Sequence, residues 1–149
     1  MLLQTKESPP VILMADDSRD DCRLVEMALK RLDFPCTLQT VSDGEALLEA
    51  LRDRPLPALI LLDLNMPIMS GFEALKEIKE APFWRSIPIV IWSTSHSGVD
   101  IKETYKLGTN SFMSKPDSFT GVVESMRSLT QFWFQNSMLP HALTDNPNQ

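Results

Sequence analysis

Short apolar runs and longer amphipathic runs alternate along the chain, and this alternation limits the fold more than any other feature of the sequence. The runs at 11–15 and 58–62 are continuously apolar, which is typical of strands buried on both faces. Boxes of the type Ser-x-x-Glu at 42–45 and 70–73 predict helix starts between such runs. We therefore predict strands at 11–15, 36–41, 58–62, 87–92 and 111–113, with a helix after each.

Strands that alternate with helices pair in parallel through right-handed crossovers. The expected fold is an α/β protein with an open, doubly wound sheet and helices on both faces. The 149 residues suffice for one such domain. We place this domain at residues 8–130 and a C-terminal extension at 131–149.

Polar side chains follow the ends of the predicted strands. Asp16 and Asp17 follow the first strand, Asp63 follows the third, and Lys115 follows the fifth, while Ser93 ends the fourth. In open parallel sheets, ligands bind at the carboxyl ends of the strands, near the point where the strand order reverses. We therefore expect these side chains to meet at one edge of the sheet.

Three carboxylates at close range repel one another unless a cation lies among them. Oxygen ligands without Cys or His select a hard cation, and a site with few carboxylates suits Mg²⁺. Lys115 and Ser93 then have an anion to bind, and the anion that fits is a phosphoryl group on Asp63. Phosphoryl transfer needs mainly positioning and neutralisation of charge, so we expect Asp63 to be the nucleophile.

Four motifs occur in order at these strand ends: Asp16-Asp17, DLNMPIMSG from Asp63, IWSTS from 91 and SKP from 114. Together they resemble the receiver domain of two-component response regulators. The resemblance implies a flavodoxin-like sheet of strand order 2-1-3-4-5 and phosphorylation of Asp63 by a sensor histidine kinase. It also implies a Mg²⁺ site whose ligands are Asp17, Asp63 and the backbone carbonyl of Asn65, with Asp16 acting through water. Lys115 would bind the phosphate, and Ser93 and Phe112 would be the switch residues.

The ending QFWFQNSMLP makes the chain similar in particular to the small response regulators of cyanobacterial phytochromes. This narrower resemblance implies a phytochrome as the kinase and a homodimer through the last helix and the C-terminal tail. On an ideal helix, Phe132, Trp133 and Phe134 span about 200° and cannot all face the sheet. We expect Trp133 to be buried, and Phe132 and Phe134 to form an exposed patch with Met138 and Leu139. The alternative is that the tail folds back over its own domain.

Two alternatives to a terminal response regulator stay open at this point. A receiver can be a phosphorelay intermediate that passes its phosphate to a histidine phosphotransfer protein, and no residue here decides between the two roles. A phosphatase with an aspartyl nucleophile also has an Asp after a strand. Such an enzyme needs a second acid two residues later, where this chain has Asn65. We therefore predict a phosphoacceptor and not an enzyme.

The composition argues against several other functions. The net charge is -6 and there is no run of Lys or Arg, so we expect no binding to nucleic acid. No apolar stretch approaches the roughly 20 residues that a membrane span needs, and the N-terminal residues lack a secretory signal. We therefore expect a cytoplasmic protein without a membrane partner. Cys22 and Cys36 lack metal or redox spacing and are expected to be idle thiols.

Overall fold

The computed structural model describes residues 8–53, 55–136 and 139. Within these residues it confirms a doubly wound sheet of five parallel strands in the predicted order β2-β1-β3-β4-β5. The predicted strand bounds agree with the structure to within two residues. The strands are β1 (Val11–Ala15), β2 (Thr37–Val41), β3 (Leu59–Leu62), β4 (Ile89–Ser93) and β5 (Ser111–Ser114), and the helices are α1 (Arg19–Arg31), α2 (Gly44–Arg52), α3 (Gly71–Glu80), α4 (Gly98–Leu107) and α5 (Phe119–Thr130). None of the described helices has the length and apolar character that a membrane span requires.

A hydrophobic layer covers each face of the sheet, because successive residues of a strand point to opposite sides. On β3, Ile60 and Leu62 pack with α2 and α3, whereas Leu59 and Leu61 pack with α1 and α5. All four side chains are buried, which explains why this strand is continuously apolar. Trp92 of β4 is buried in the layer beneath α1 and α5, so its bulk fills the core.

Side-chain caps fix the starts of the helices that follow the strands. The capping box predicted at 70–73 is confirmed, since Ser70 Oγ accepts a hydrogen bond from the Glu73 N–H at 3.2 Å. The box predicted at 42–45 is wrong in its first residue. Asp43 caps α2 in place of Ser42, and its Oδ1 accepts a hydrogen bond from the Ala46 N–H at 2.7 Å. A carboxylate is a stronger acceptor than a hydroxyl, which favours Asp43.

The chain continues beyond α5 as a π-helical segment, Gln131–Asn136. The wider turns of a π-helix change which residues share a face, so the expectation for the three aromatic residues is only partly right. Phe132 is exposed as expected, with 55% of its surface accessible. Trp133, expected to be buried, is partly buried against the α1–α5 layer. The expectation of an exposed Phe134 is wrong, because its ring packs against the same layer with its centroid 5.4 Å from that of Phe34.

The rest of the expected apolar patch is also smaller than the sequence suggests. Leu139 is buried, so the prediction that it is exposed is wrong as well. Met138 lies outside the described residues. Among the described residues of the predicted patch, Phe132 is therefore the one that is exposed.

Candidate functional site

Backbone hydrogen bonds fix the two acids that directly follow β1 and β3. The Asp16 N–H donates to the Val41 carbonyl at 3.0 Å, and the Asp63 N–H donates to the Ala15 carbonyl at 2.9 Å. Each acid thus continues the sheet by one residue. Carboxylate oxygens of Asp16, Asp17 and Asp63 lie within 4.8 Å of one another. Asp16 and Asp63 are buried and Asp17 is exposed, so the structure brings the three predicted carboxylates together at the edge of the sheet.

Lys115 supplies positive charge to this acid cluster. Its backbone N–H donates to the Ser93 carbonyl at 2.8 Å, which holds the loop after β5 against β4. Its Nζ lies 2.8 Å from Asp16 Oδ2, 2.8 Å from Asp21 Oδ2 and 3.7 Å from Asp63 Oδ2. The contact with Asp21 has the geometry of a hydrogen bond, whereas the contact with Asp16 is close without that geometry. The separation from Asp63 is too long for a hydrogen bond.

The charges in the cluster are unequally compensated. Burial and then the negative charge of Asp16 raise the pKa of Asp63 to about 6, against the opposing charge of Lys115 and two backbone N–H groups. Burial also raises the pKa of Asp16. Burial lowers the pKa of Lys115, but its close contacts with the Asp16 and Asp21 carboxylates outweigh this effect and raise that pKa overall. One ammonium group therefore faces several carboxylates, and further positive charge would stabilise the cluster.

The donor set of the cluster fits Mg²⁺. Asp16 Oδ2 is buried and lies 2.8 Å from Lys115 Nζ, but it accepts no hydrogen bond of good geometry from the residues that the structure describes, so this oxygen keeps a lone pair for a cation. The three clustered groups are carboxylates, which favour a hard cation. Cys22 lies close by, with its Sγ 3.7 Å from the Asp16 carbonyl oxygen. Burial, helped by the charge of Asp16, raises the pKa of Cys22 to about 11, so it stays a thiol and a poor metal ligand.

The two predicted switch residues lie on the neighbouring strands β4 and β5. Ser93 is fully buried, and its Oγ accepts a hydrogen bond from the Ser95 N–H at 3.2 Å. A hydroxyl that accepts one hydrogen bond still has its own proton to donate, so Ser93 can also act as a donor. Phe112 is partly buried against the α2–α3 layer, and its backbone N–H donates to the Tyr105 hydroxyl at 3.2 Å. This hydrogen bond links the edge strand β5 to α4.

The loop between β3 and α3 carries Asn65, which is exposed two residues after Asp63. The loop is closely packed where it returns to the site, because a Cβ on Gly71 would collide with the Asp63 carbonyl oxygen. At the tip of the loop, Ile68 has a φ of 69° and 76% of its surface is accessible. A left-handed backbone conformation is unfavourable for a β-branched residue, so the loop holds strain beside the acid cluster.

Asp21 is a site residue that the sequence reasoning missed. It lies in the first turn of α1, and its side chain is 33% exposed where it contacts Lys115. The signal for it in the sequence is weak, because Asp21 belongs to none of the four motifs. Its spacing of four residues from Asp17 fits one helix face, but Asp17 precedes the helix.

The fold and the residues at its carboxyl edge are those of a response regulator receiver domain, and residues 12–127 match the family model described as "Response regulator receiver domain". The chain belongs to this family. Among similar proteins, Response regulator Rcp1 of Synechocystis sp. is 36% identical over 140 residues, which cover 90% of this chain and 95% of the relative. These comparisons confirm the resemblance that the four motifs indicated.

Two crystal structures extend the similarity to the tertiary fold. The phosphorylated cyanobacterial phytochrome response regulator RcpA has a TM-score of 0.84 at 33% identity, over 89% of this chain and 99% of that chain. The Mn²⁺-bound form of Rcp1 has a TM-score of 0.82 at 36% identity, with the same coverage. A relative that binds a divalent cation and the acid cluster of this chain together fit a divalent metal site.

Proposed function

We propose that this chain is a response regulator that accepts a phosphoryl group on Asp63 from the phosphohistidine of a sensor histidine kinase. The observation that carries the proposal is the set of contacts made by the two oxygens of the Asp63 carboxylate. Its Oδ1 accepts a hydrogen bond from the Leu64 N–H at 2.9 Å, and its Oδ2 lies 3.7 Å from Lys115 Nζ, beyond hydrogen-bond distance. The backbone therefore orients the carboxylate through Oδ1, and Oδ2 faces Lys115 without a hydrogen bond to it.

The transfer exchanges one bond to phosphorus for another. Asp63 Oδ2 attacks the phosphorus of the phosphohistidine, the new P–O bond forms as the P–N bond breaks, and the imidazole nitrogen leaves with the electron pair. Lys115 offsets the negative charge of the phosphoryl oxygens, and the Ser93 hydroxyl donates a hydrogen bond to one of them. Asp16, Asp17, Asp63 and the Asn65 carbonyl would hold Mg²⁺, which when bound supplies further neutralisation of phosphoryl charge.

Phosphorylation then acts as a switch through β4 and β5. A hydrogen bond from Ser93 to the phosphoryl group draws the hydroxyl towards Asp63, and Phe112 moves into the space beside it. The phosphoryl group can bias this equilibrium only if it interacts differently with the two states. Because the Phe112 N–H is bound to Tyr105, a shift of β5 reaches the surface of α4.

We further propose that the phosphodonor is a phytochrome and that the chain forms a homodimer through its last helix and C-terminal tail. The similarity to RcpA, which is described as a phytochrome response regulator, supports the first part, and the exposed Phe132 supports the second. A role as a phosphorelay intermediate remains the alternative. Labelled phosphate that moves from the kinase to this chain and then to a histidine phosphotransfer protein would favour the relay.

We also propose that the chain is a phosphoacceptor and not an enzyme that turns over small phosphate esters. A phosphatase of the aspartyl type needs a second acid two residues after the nucleophile, and Asn65 occupies that position. Incubation with a small phosphate ester and Mg²⁺ should release no more phosphate from wild type than from Asp63→Asn. Sustained release that depends on Asp63 would contradict the proposal.

The decisive test of the acceptor residue is phosphorylation followed by mass spectrometry. With Mg²⁺ and acetyl phosphate or a phosphorylated kinase, the intact protein should gain one acid-stable, base-labile phosphate. Asp63→Asn should gain none, whereas Asp20→Asn, an exposed acid of α1, should be labelled like wild type. Undiminished labelling of Asp63→Asn would refute the assignment.

The dimer is best tested with a point variant, because truncation of the tail would also remove Phe134 from the core layer. Phe132→Ser should shift the protein towards the monomer in light scattering. Phe83→Ser is a matched control, since Phe83 is 79% exposed in the connection between α3 and β4. A wild-type protein that stays monomeric at high concentration, with and without phosphorylation, would rule out the dimer.

A further inference from the structure

Asp21 holds Lys115 on the α1 side of the acid cluster. Lys115 Nζ lies 2.8 Å from Asp21 Oδ2, with hydrogen-bond geometry, but 3.7 Å from Asp63 Oδ2. The Lys115 side chain is 9% exposed, so its ammonium group depends on the nearby carboxylates for compensation. In the unphosphorylated protein, the lysine is therefore held closer to Asp21 than to the proposed nucleophile.

We propose that Asp21 is a positioning residue that competes with the phosphoryl group for Lys115, an inference that rests on the proposed function of Asp63. Lys115 Nζ lies 2.8 Å from both Asp16 Oδ2 and Asp21 Oδ2, and the contact with Asp21 has the geometry of a hydrogen bond. A phosphoryl group on Asp63 adds acceptor oxygens next to a carboxylate whose Oδ2 is 3.7 Å from Lys115 Nζ. Asp21 and the phosphoryl oxygens attract the same ammonium group, so the Asp21 carboxylate favours the unphosphorylated state.

The charge balance of the site acts in the same direction. Three carboxylates lie within 3.7 Å of the Lys115 ammonium group, those of Asp16, Asp21 and Asp63. Asp17 adds a fourth negative charge beside Asp16 and Asp63. Transfer of a phosphoryl group to the Asp63 carboxylate gives an acyl phosphate, which carries more negative charge than the carboxylate alone. The Asp21 carboxylate repels that added charge, besides holding the cation that would neutralise it.

Asp21 is separable from the parts of the fold that the site needs. It is outside the group of three clustered carboxylates that fit a metal ion. The cap of α1 uses the backbone N–H of Asp21, which donates to Ser18 Oγ at 3.2 Å, and not its side chain. Asp21→Asn therefore removes the charge while it keeps the cap and nearly the same side-chain volume.

The probe for the proposal is beryllofluoride, a phosphoryl mimic, titrated by calorimetry at saturating Mg²⁺ so that differences in metal affinity do not contribute. Asp21→Asn should bind beryllofluoride about two- to fivefold more tightly than wild type, which is the range for loss of one partly exposed competing charge. Asp20→Asn is the matched control, because it removes the same charge from the same exposed helix turn. It should bind like wild type, and Asp21→Glu should lie nearer to wild type than to Asp21→Asn.

A second measurement reports on the contact itself. The NMR signal of Lys115 Nζ in the protein without the mimic should shift in Asp21→Asn and stay unchanged in Asp20→Asn. Binding to Asp21→Asn that is equal to or weaker than binding to wild type, or equal to binding to Asp20→Asn, would overturn competition by Asp21. A wild-type protein that fails to bind beryllofluoride would instead overturn the proposed function of Asp63, and this inference with it.

Discussion

Replacement of Asp63 by asparagine should stabilise the metal-free protein at neutral pH, although it removes the proposed nucleophile. The Asp63 carboxylate is buried, with 6% of the residue exposed, and lies beside Asp16. Both features make its ionised form unfavourable in the folded state, and its pKa is raised from 3.8 to about 6. Asparagine keeps the shape of the side chain and an oxygen that can accept the Leu64 N–H.

The sign of the pH dependence follows from which state binds the proton more tightly. The folded protein holds the Asp63 proton up to about pH 6, whereas the unfolded chain loses it near 3.8. Below about pH 4 both states carry the proton, and the group does not reduce stability. Stability is then lost as the pH rises from about 4 to about 6, and the full loss is about 3 kcal/mol above that range.

Urea unfolding in the presence of a chelator measures this effect. The gain in unfolding free energy of Asp63→Asn should grow from near zero at about pH 4 to about 2–3 kcal/mol at about pH 8. Glu49→Gln removes an exposed acid of α2 and should change stability by less than about 0.5 kcal/mol at any pH. Mg²⁺ should stabilise wild type by about 2.7 kcal/mol at 100 times its Kd, and Asp63→Asn by less. A variant that is no more stable than wild type at about pH 8 would refute the reasoning.

Three further predictions concern the same edge of the sheet. Asp17→Ala should weaken Mg²⁺ binding at least about tenfold, because one of three carboxylates is lost, and equal affinities in calorimetry would place the metal elsewhere. Ser93→Ala should suppress the NMR shifts that phosphorylation causes in α4 and β5, because the variant lacks the hydroxyl that would bind the phosphoryl group. Identical shifts in wild type and Ser93→Ala would contradict the switch. Ile68→Asn should raise Tm by about 2–4 °C in thermal unfolding, because asparagine tolerates the φ of 69° better, and an unchanged Tm would show that the loop is not strained.

The sheet and most of the acid cluster can be predicted from the sequence alone. Strands such as Leu59–Leu62 are recognisable because burial on both faces requires an uninterrupted apolar run, which is a local pattern. Once parallel strands are inferred, the residues that follow them must share one edge. Asp16, Asp17, Asp63 and Lys115 could therefore be placed together without any coordinates, and the structure places them so.

The tertiary structure decided the contacts between elements that no local pattern links. Lys115 and Asp21 are 94 positions apart, and their contact depends on how α1 lies against the loop after β5. The same holds for Phe134, whose sequence spacing predicts exposure on an ideal α-helix. In the π-helical segment it packs against Phe34 and is partly buried instead.

The physical reason for this division is the range over which each interaction acts. Hydrophobic periodicity and strand ends are set by the nearest turn or strand, so they can be read residue by residue. The partner of a charged side chain is set by the relative position of whole elements, which depends on packing across the core. The sequence therefore determined that a lysine would meet an acid cluster, and only the folded chain determined that Asp21 is the carboxylate to which Lys115 is hydrogen-bonded.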